Sequence, residues 1–122
     1  KDIILKINKK NNKNYKLILN IAFNYGTENE IIYMVNKLLE KKIKKIKNNQ
    51  FSLIKENMFL KGMPNPDILI RTGGYQRLSN FLLLYLSYTE LFFTNTLWPD
   101  FNTSELDKIL IKYNSISRKY GL

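Results

Sequence analysis

An α/β fold, built as a layered and mostly parallel sheet with flanking helices, is predicted by three features of the sequence. LILNIAF at 17–23 and DILI at 67–70 are short, almost unbroken apolar runs, the mark of strands buried on both faces. The apolar positions of 27–47 and 103–116 fall instead at helical spacings. The two patterns alternate as strand, helix, strand, helix, strand, helix, the order that makes a parallel sheet with helical crossovers. At 122 residues the chain suits one domain, and 44% hydrophobic with 13% aromatic residues supplies enough apolar material for a core.

The opening KDIILKI reads as a helix already under way, so the chain is expected to be the later part of something longer. After the polar NKKNNKNYK, LILNIAF forms the first strand and NYG turns the chain. In TENEIIYMVNKLLEKKIKKIK, Ile31, Ile32, Val35, Leu38, Leu39, Ile43 and Ile46 mark one helical face. Thr27 and Glu30 form a capping box at its start, and the lysines at 41, 42, 44, 45 and 47 are a solvated face near its negative end. A short helix is expected from Ser52 to Leu60; GMPNP then imposes a loop, and DILI is the second strand. LSNFLLLYLSYTE is apolar on all sides, which fits a helix packed between layers. ELFFTNTLWP holds a third strand closed by Pro99. Thr103 or Ser104 caps a last helix in which Leu106, Ile109, Leu110, Tyr113 and Ile116 stay in phase.

Composition narrows the chemistry. A net charge of +10 and a pI near 9.7 are common among nucleic-acid binders. Yet 17 of the 20 basic residues are Lys, scattered among Asn and Ile as A/T-rich codons scatter them, so no nucleic-acid partner is expected. Cys and His are absent, which excludes disulfide scaffolds, thiolate or imidazole metal sites, and triads built on either residue. Any metal must sit on carboxylates, and is therefore a hard ion such as magnesium. The longest apolar stretch, Phe81 to Phe93, is interrupted by Ser87, Thr89 and Glu90 and is too short to span a bilayer. With no visible signal peptide, the expected compartment is the cytosol.

The three arginines, Arg71, Arg77 and Arg118, are exceptions in a lysine-rich chain, and two of them flank the Gly73-Gly74 turn. Arg71 follows DILI at the carboxyl end of a predicted parallel strand, where open α/β sheets bind ligands. The glycines are expected to let the backbone approach a ligand, and a helix starting near Arg77 to Ser79 would offer unpaired N–H groups. Guanidinium grips phosphate oxygens as a planar fork, and Ser79 adds a hydroxyl, so a phosphate fits here. Alternatively, Arg71 and Arg77 pair with Asp67 and Glu90, and Ser79 is a helix cap. Glu90, at the junction of an apolar helix and a strand, is solvated, paired or bound to a metal.

PDILIRTGGYQRLSNFLL, continued by YTELFFTNTLWPDF and preceded by LNIAFNYG and EI, resembles the C-terminal signature of the cis-prenyltransferases, the family of undecaprenyl and dehydrodolichyl diphosphate synthases. The match runs in order over about the last 110 residues. It implies repeated addition of isopentenyl diphosphate to an allylic diphosphate such as farnesyl diphosphate, with cis double bonds. By the same resemblance Arg71, Arg77 and Ser79 would hold the diphosphate of isopentenyl diphosphate, and Glu90 would bind or position magnesium (Mg2+). Preorganised cations and a metal stabilise the charge that builds as diphosphate departs. Phe23, Leu82, Leu83 and Leu86 would line a tunnel for the growing chain or pack the core.

The sequence departs from the family pattern in several places. Gly26, Thr27 and Glu28 stand where the family has Gly-Gly-Arg, and Tyr75 replaces the usual Glu after the glycine turn. In the tail, Lys119 takes an Arg position before Tyr120 and Gly121; Arg118 is a substitute for the Arg that reaches the diphosphate across a dimer. No Asp-Gly occurs, so the family's Asp-Gly-Asn loop for magnesium and the allylic diphosphate is missing. Residues 1–122 are accordingly expected to be the C-terminal part of one cis-prenyltransferase domain, inactive alone. The resemblance further implies a homodimer, cytoplasmic or organellar, meeting the membrane surface through its lipid product. The alternative is a non-catalytic subunit of a heteromeric cis-prenyltransferase, which Tyr75 and Thr27-Glu28 favour.

Overall fold

The computed structural model describes residues 16–48 and 50–118. The expected opening helix lies outside the described residues. The elements are α1 (Thr27–Glu40), α2 (Phe51–Lys55), β1 (Ile68–Arg71), β2 (Glu90–Phe93), a single 3-10 turn (Trp98–Asp100) and α3 (Thr103–Asn114). The strands pair in parallel from Ile68 opposite Glu90 to Arg71 opposite Phe93. This is the α/β parallel arrangement expected, with α3 beside β2: the Lys112 ammonium lies 5.9 Å from the centroid of the Phe92 ring.

The first expected strand does not form among the described residues. Leu17, Leu19, Ile21 and Phe23 are instead 78% to 94% exposed. A strand of this apolar type needs a hydrogen-bonded neighbour and a covering layer on each face, and none of the described elements supplies them.

α1 begins after Gly26, which is extended and gives no side-chain cap. Thr27 and Glu30 do not make the expected capping box, because both side chains turn into the core and are almost fully buried. The helix ends earlier than its apolar period suggests. Lys42 takes a left-handed φ of 59°, its N–H donates to the Leu39 carbonyl at 2.8 Å, and the Ile43 N–H reaches the Leu38 carbonyl at 3.0 Å. This double closure is a Schellman motif. It leaves the lysines at 41, 42, 44, 45 and 47 beyond the helix rather than in its last turn. α2 is also shorter than expected, and α3 is capped by the Asn102 side chain, which accepts from the Glu105 N–H at 3.2 Å; neither Thr103 nor Ser104 is the cap.

The largest correction concerns the crossover between β1 and β2. Its apolar run was expected to be helical, yet 78–89 is a chain of turns, with positive φ at Ser79, Asn80 and Leu82. That conformation is uncommon for residues other than glycine and needs contacts to hold it. Here the Asn80 carbonyl accepts from the Thr27 N–H at 2.8 Å and from its hydroxyl at 3.0 Å, and the Leu83 N–H donates to the Thr27 hydroxyl at 3.0 Å. The crossover is tied to the first turn of α1, and these bonds replace its own helical ladder. Leu38, Met58, Tyr85 and Phe92 form the small buried apolar core.

Candidate functional site

Arg71 is the last residue of β1, and the turns that follow bring Arg77 and Ser79 back to it. Its Nη1 donates to the Ser79 hydroxyl at 2.8 Å and to the Arg77 carbonyl. The three residues line a cleft of about 330 Å³ with Thr72, Leu78 and Phe81. The expected gathering of Arg71, Arg77 and Ser79 therefore holds at the carboxyl end of a parallel strand. The alternative pairing of these arginines with Asp67 and Glu90 does not occur. Among the described residues the ion pairs are Lys37–Glu40 and Arg118–Asp67. Two guanidiniums without a carboxylate partner make the cleft a candidate anion site, since the guanidinium fork suits phosphate oxygens.

One expected contribution from the backbone is absent. No helix starts at Arg77 to Ser79, so no helix N-terminus faces the cleft. The glycine N–H groups, for their part, are engaged within the fold. Gly73 and Gly74 have φ of 89° and 80°, and their N–H groups donate to the carbonyls of Thr96 and Thr94, both at 2.9 Å. A Cβ at Gly74 would lie 3.2 Å from the Asn95 Oδ1. The glycines let the turn dock against the segment after β2.

Glu90 is half-buried at the entry of β2, with its N–H on the Asp67 carbonyl at 2.9 Å. The strand register puts it beside Ile68, three residues before the level of Arg71, or roughly 10 Å at about 3.3 Å per residue. Glu90 is thus not drawn into the arginine cleft. Among the described residues no three Asp, Glu, His or Cys side chains gather to hold a metal. One carboxylate is compatible with magnesium, which commonly takes one or two carboxylates and completes its shell with phosphates and water. Arg118 is held at the same end of β1: it donates to Asp67 at 2.7 Å, the Tyr113 hydroxyl at 2.8 Å and the Tyr88 carbonyl at 3.0 Å. Lys119 and Gly121 lie outside the described residues.

Reading the sequence missed a second polar cluster, around Glu30. Its carboxylate is fully buried and accepts from the Tyr25 hydroxyl, the Tyr85 hydroxyl and, at 2.7 Å, the Phe59 N–H. The Tyr85 oxygen in turn accepts from the Leu60 N–H at 3.2 Å. Burial, followed by the hydrogen bond to Glu30, pushes the Tyr25 phenol up to about 12, and the same causes raise Tyr85. The signal was present in the period of α1. Thr27, Glu30 and Leu38 share one helical face and are its buried residues, so the inward stripe starts with polar side chains. Beside this cluster an apolar groove of about 430 Å³ includes Phe23 and Leu82, two of the four residues expected to line a tunnel or pack the core.

The family model for undecaprenyl diphosphate synthases matches residues 1–121. An isoprenyl transferase of Fusobacterium nucleatum is 42% identical over 118 residues, which cover 97% of this chain and 50% of that protein. The ditrans,polycis-undecaprenyl-diphosphate synthase ((2E,6E)-farnesyl-diphosphate specific) of Coxiella burnetii is 42% identical over 120 residues, covering 93% and 48%. Among solved structures, a probable undecaprenyl diphosphate synthase from Campylobacter jejuni superposes with a TM-score of 0.70 at 32% identity, covering 84% of this chain and 47% of that one. Lavandulyl diphosphate synthase from Lavandula x intermedia, in complex with dimethylallyl diphosphate, gives 0.69 at 31%, covering 80% and 44%. The chain spans about half the length of the relatives it matches. A family match across nearly every residue, with both arginines at a strand-end cleft, leads to one assignment: the chain belongs to the undecaprenyl diphosphate synthase family of prenyltransferases.

Proposed function

We propose that this chain supplies the isopentenyl-diphosphate site of a cis-prenyltransferase, which extends an allylic diphosphate of the farnesyl type to a long-chain polyprenyl diphosphate. The observation that supports this most is the convergence of Arg71, Arg77 and Ser79 on one cleft without a carboxylate to neutralise them. A diphosphate offers several charged oxygens, and two planar forks with a hydroxyl match it. Anchored by that end, isopentenyl diphosphate presents its double bond at a fixed place, so the clamp contributes orientation as well as affinity. The substrate in the Coxiella enzyme's name and the ligand of the lavender structure are both allylic diphosphates, which supports that class as the second substrate.

On this reading residues 1–122 are the C-terminal part of one domain, and the allylic site lies in the remainder of the enzyme. Glu90 is the residue of this chain that would hold magnesium, together with ligands from elsewhere. The ion, when bound, neutralises the diphosphate that leaves the allylic substrate. Arg118, Lys119 and Gly121 are the residues proposed for a tail contact across a homodimer; Arg118 also engages Asp67. A cytoplasmic or organellar enzyme meeting the membrane through its lipid product fits this chemistry. Among the described residues no helix is long and apolar enough to cross a membrane.

The test is incorporation of radiolabelled isopentenyl diphosphate by the full-length protein, with and without magnesium. Arg71→Lys and Arg77→Ala are expected to raise the KM for isopentenyl diphosphate and lower turnover, each costing about 2 to 4 kcal/mol as for other preorganised donors. Unchanged kinetics in both variants would remove the site assignment.

A further inference from the structure

We propose that Tyr75 is a positioning residue of the diphosphate site: its ring holds the Arg77 and Arg71 guanidiniums together so that their donors serve one anion. The inference rests on the clamp described above and adds the residue that organises it. The guanidinium carbon of Arg77 lies 4.3 Å from the Tyr75 ring centroid, and that of Arg71 lies 5.8 Å from it. Arg77 is exposed, and among the described residues its side chain makes no hydrogen bond and no ion pair. The Arg77 guanidinium rests on this ring, whereas Arg71 is also fixed by Ser79 and the Arg77 carbonyl.

The physics favours a ring in this place. Two like charges brought to one cleft repel, and a long exposed Arg side chain samples many rotamers before ligand arrives. A carboxylate, the usual residue at this position in the family, would hold the guanidiniums by charge and reduce their net positive charge; the ring holds them without doing so. An aromatic face attracts cations through its quadrupole while remaining uncharged. A guanidinium stacked on such a face keeps its in-plane N–H groups for a phosphate. Tyr75 is 57% exposed and is not among the cleft-lining residues, so it supports the clamp without filling the anion's place.

The experiment uses the full-length protein, with inorganic pyrophosphate binding and steady-state kinetics as readouts. Tyr75→Leu is expected to weaken pyrophosphate binding and raise the KM for isopentenyl diphosphate about five- to tenfold, in the range of a partly exposed cation–π contact, with the allylic KM unchanged. Tyr75→Phe, which keeps the ring, should stay within about twofold. Replacing Tyr75 with phenylalanines carrying one, two and three fluorines should weaken pyrophosphate binding step by step, because fluorine drains the ring face with little change in size. A merely structural ring would not respond to that series. Wild-type affinity in Tyr75→Leu, an equal loss in Tyr75→Phe, or a flat fluorine series overturns the proposal. Arg77→Ala, measured in parallel, separates the two readings. If it binds pyrophosphate normally the clamp itself is wrong; if it binds weakly while Tyr75→Leu does not, only the role of Tyr75 falls.

Discussion

The Glu30 cluster and the Arg71–Arg77 clamp are both polar, and they are finished in opposite ways. Around Glu30 the charge is fully buried and its oxygens are taken by two phenols and a backbone N–H. At the proposed clamp, Arg71 and Arg77 line an open cleft, and among the described residues neither pairs with a carboxylate. A buried charge survives only when its partners are complete, because leaving it unpaired costs several kcal/mol. An exposed charge held without a counter-ion keeps its strength for a ligand. Saturation therefore marks Glu30 as part of the scaffold, and incompleteness makes the arginines the candidate site.

The contrast breaks most visibly at Glu30. Glu30→Ala strands the two phenols and the Phe59 N–H, and is expected to cost about 3 kcal/mol of stability, read as a lower urea midpoint with an unchanged slope. Arg77→Ala should change stability by less than about 0.5 kcal/mol and leave that midpoint nearly in place, as exposed substitutions generally do. If the two variants lost equal stability, the distinction between scaffold and site would collapse.

A smaller effect is expected where the clamp meets the fold. Gly74→Ala puts a side chain at φ 80° and 3.2 Å from the Asn95 Oδ1, which should cost about 1 to 2 kcal/mol and raise the KM for isopentenyl diphosphate by displacing Arg77. A kinetic effect without loss of stability would show that the turn touches ligand directly.

The smallest effect sharpens the picture of the Glu30 cluster through pH. Folded Tyr25 keeps its proton to about 12, whereas the unfolded chain releases it near 10.0. The folded state thus binds the extra proton between those values. Its contribution is complete below pH 10 and declines as the pH rises toward 12. Denaturation midpoints over that window should fall less steeply in Tyr25→Phe than in the parent protein; identical slopes would mean that burial and the bond to Glu30 do not hold Tyr25 neutral.

Much of the site was legible because its signal was local. Two arginines around a glycine pair, directly after a buried strand, placed Arg71, Arg77 and Ser79 together without knowledge of the path between them. The strand DILI, the α3 period and the parallel pairing of β1 with the strand in ELFF were legible for the same reason. Glu30 was hidden because a Thr and a Glu three residues apart also spell a capping box, and only the packing of Tyr25 and Tyr85 decides between them. The crossover was misjudged because an apolar run favours a helix until Thr27 takes the Asn80 carbonyl.

Composition, period and motif by themselves determined the fold class, the absence of imidazole and thiolate chemistry, and the choice of arginine at a strand end, since each follows from residue type and near-neighbour spacing. Only the tertiary structure decided where hydrogen-bonding groups find partners. It turned the glycine N–H groups toward Thr94 and Thr96, set Glu90 at the far end of its strand from Arg71, gave Arg118 to Asp67 and laid Arg77 on the ring of Tyr75. The physical reason is range: periodicity records which face of an element is apolar, while a hydrogen bond or a cation–π contact joins residues that the chain brings together only by folding.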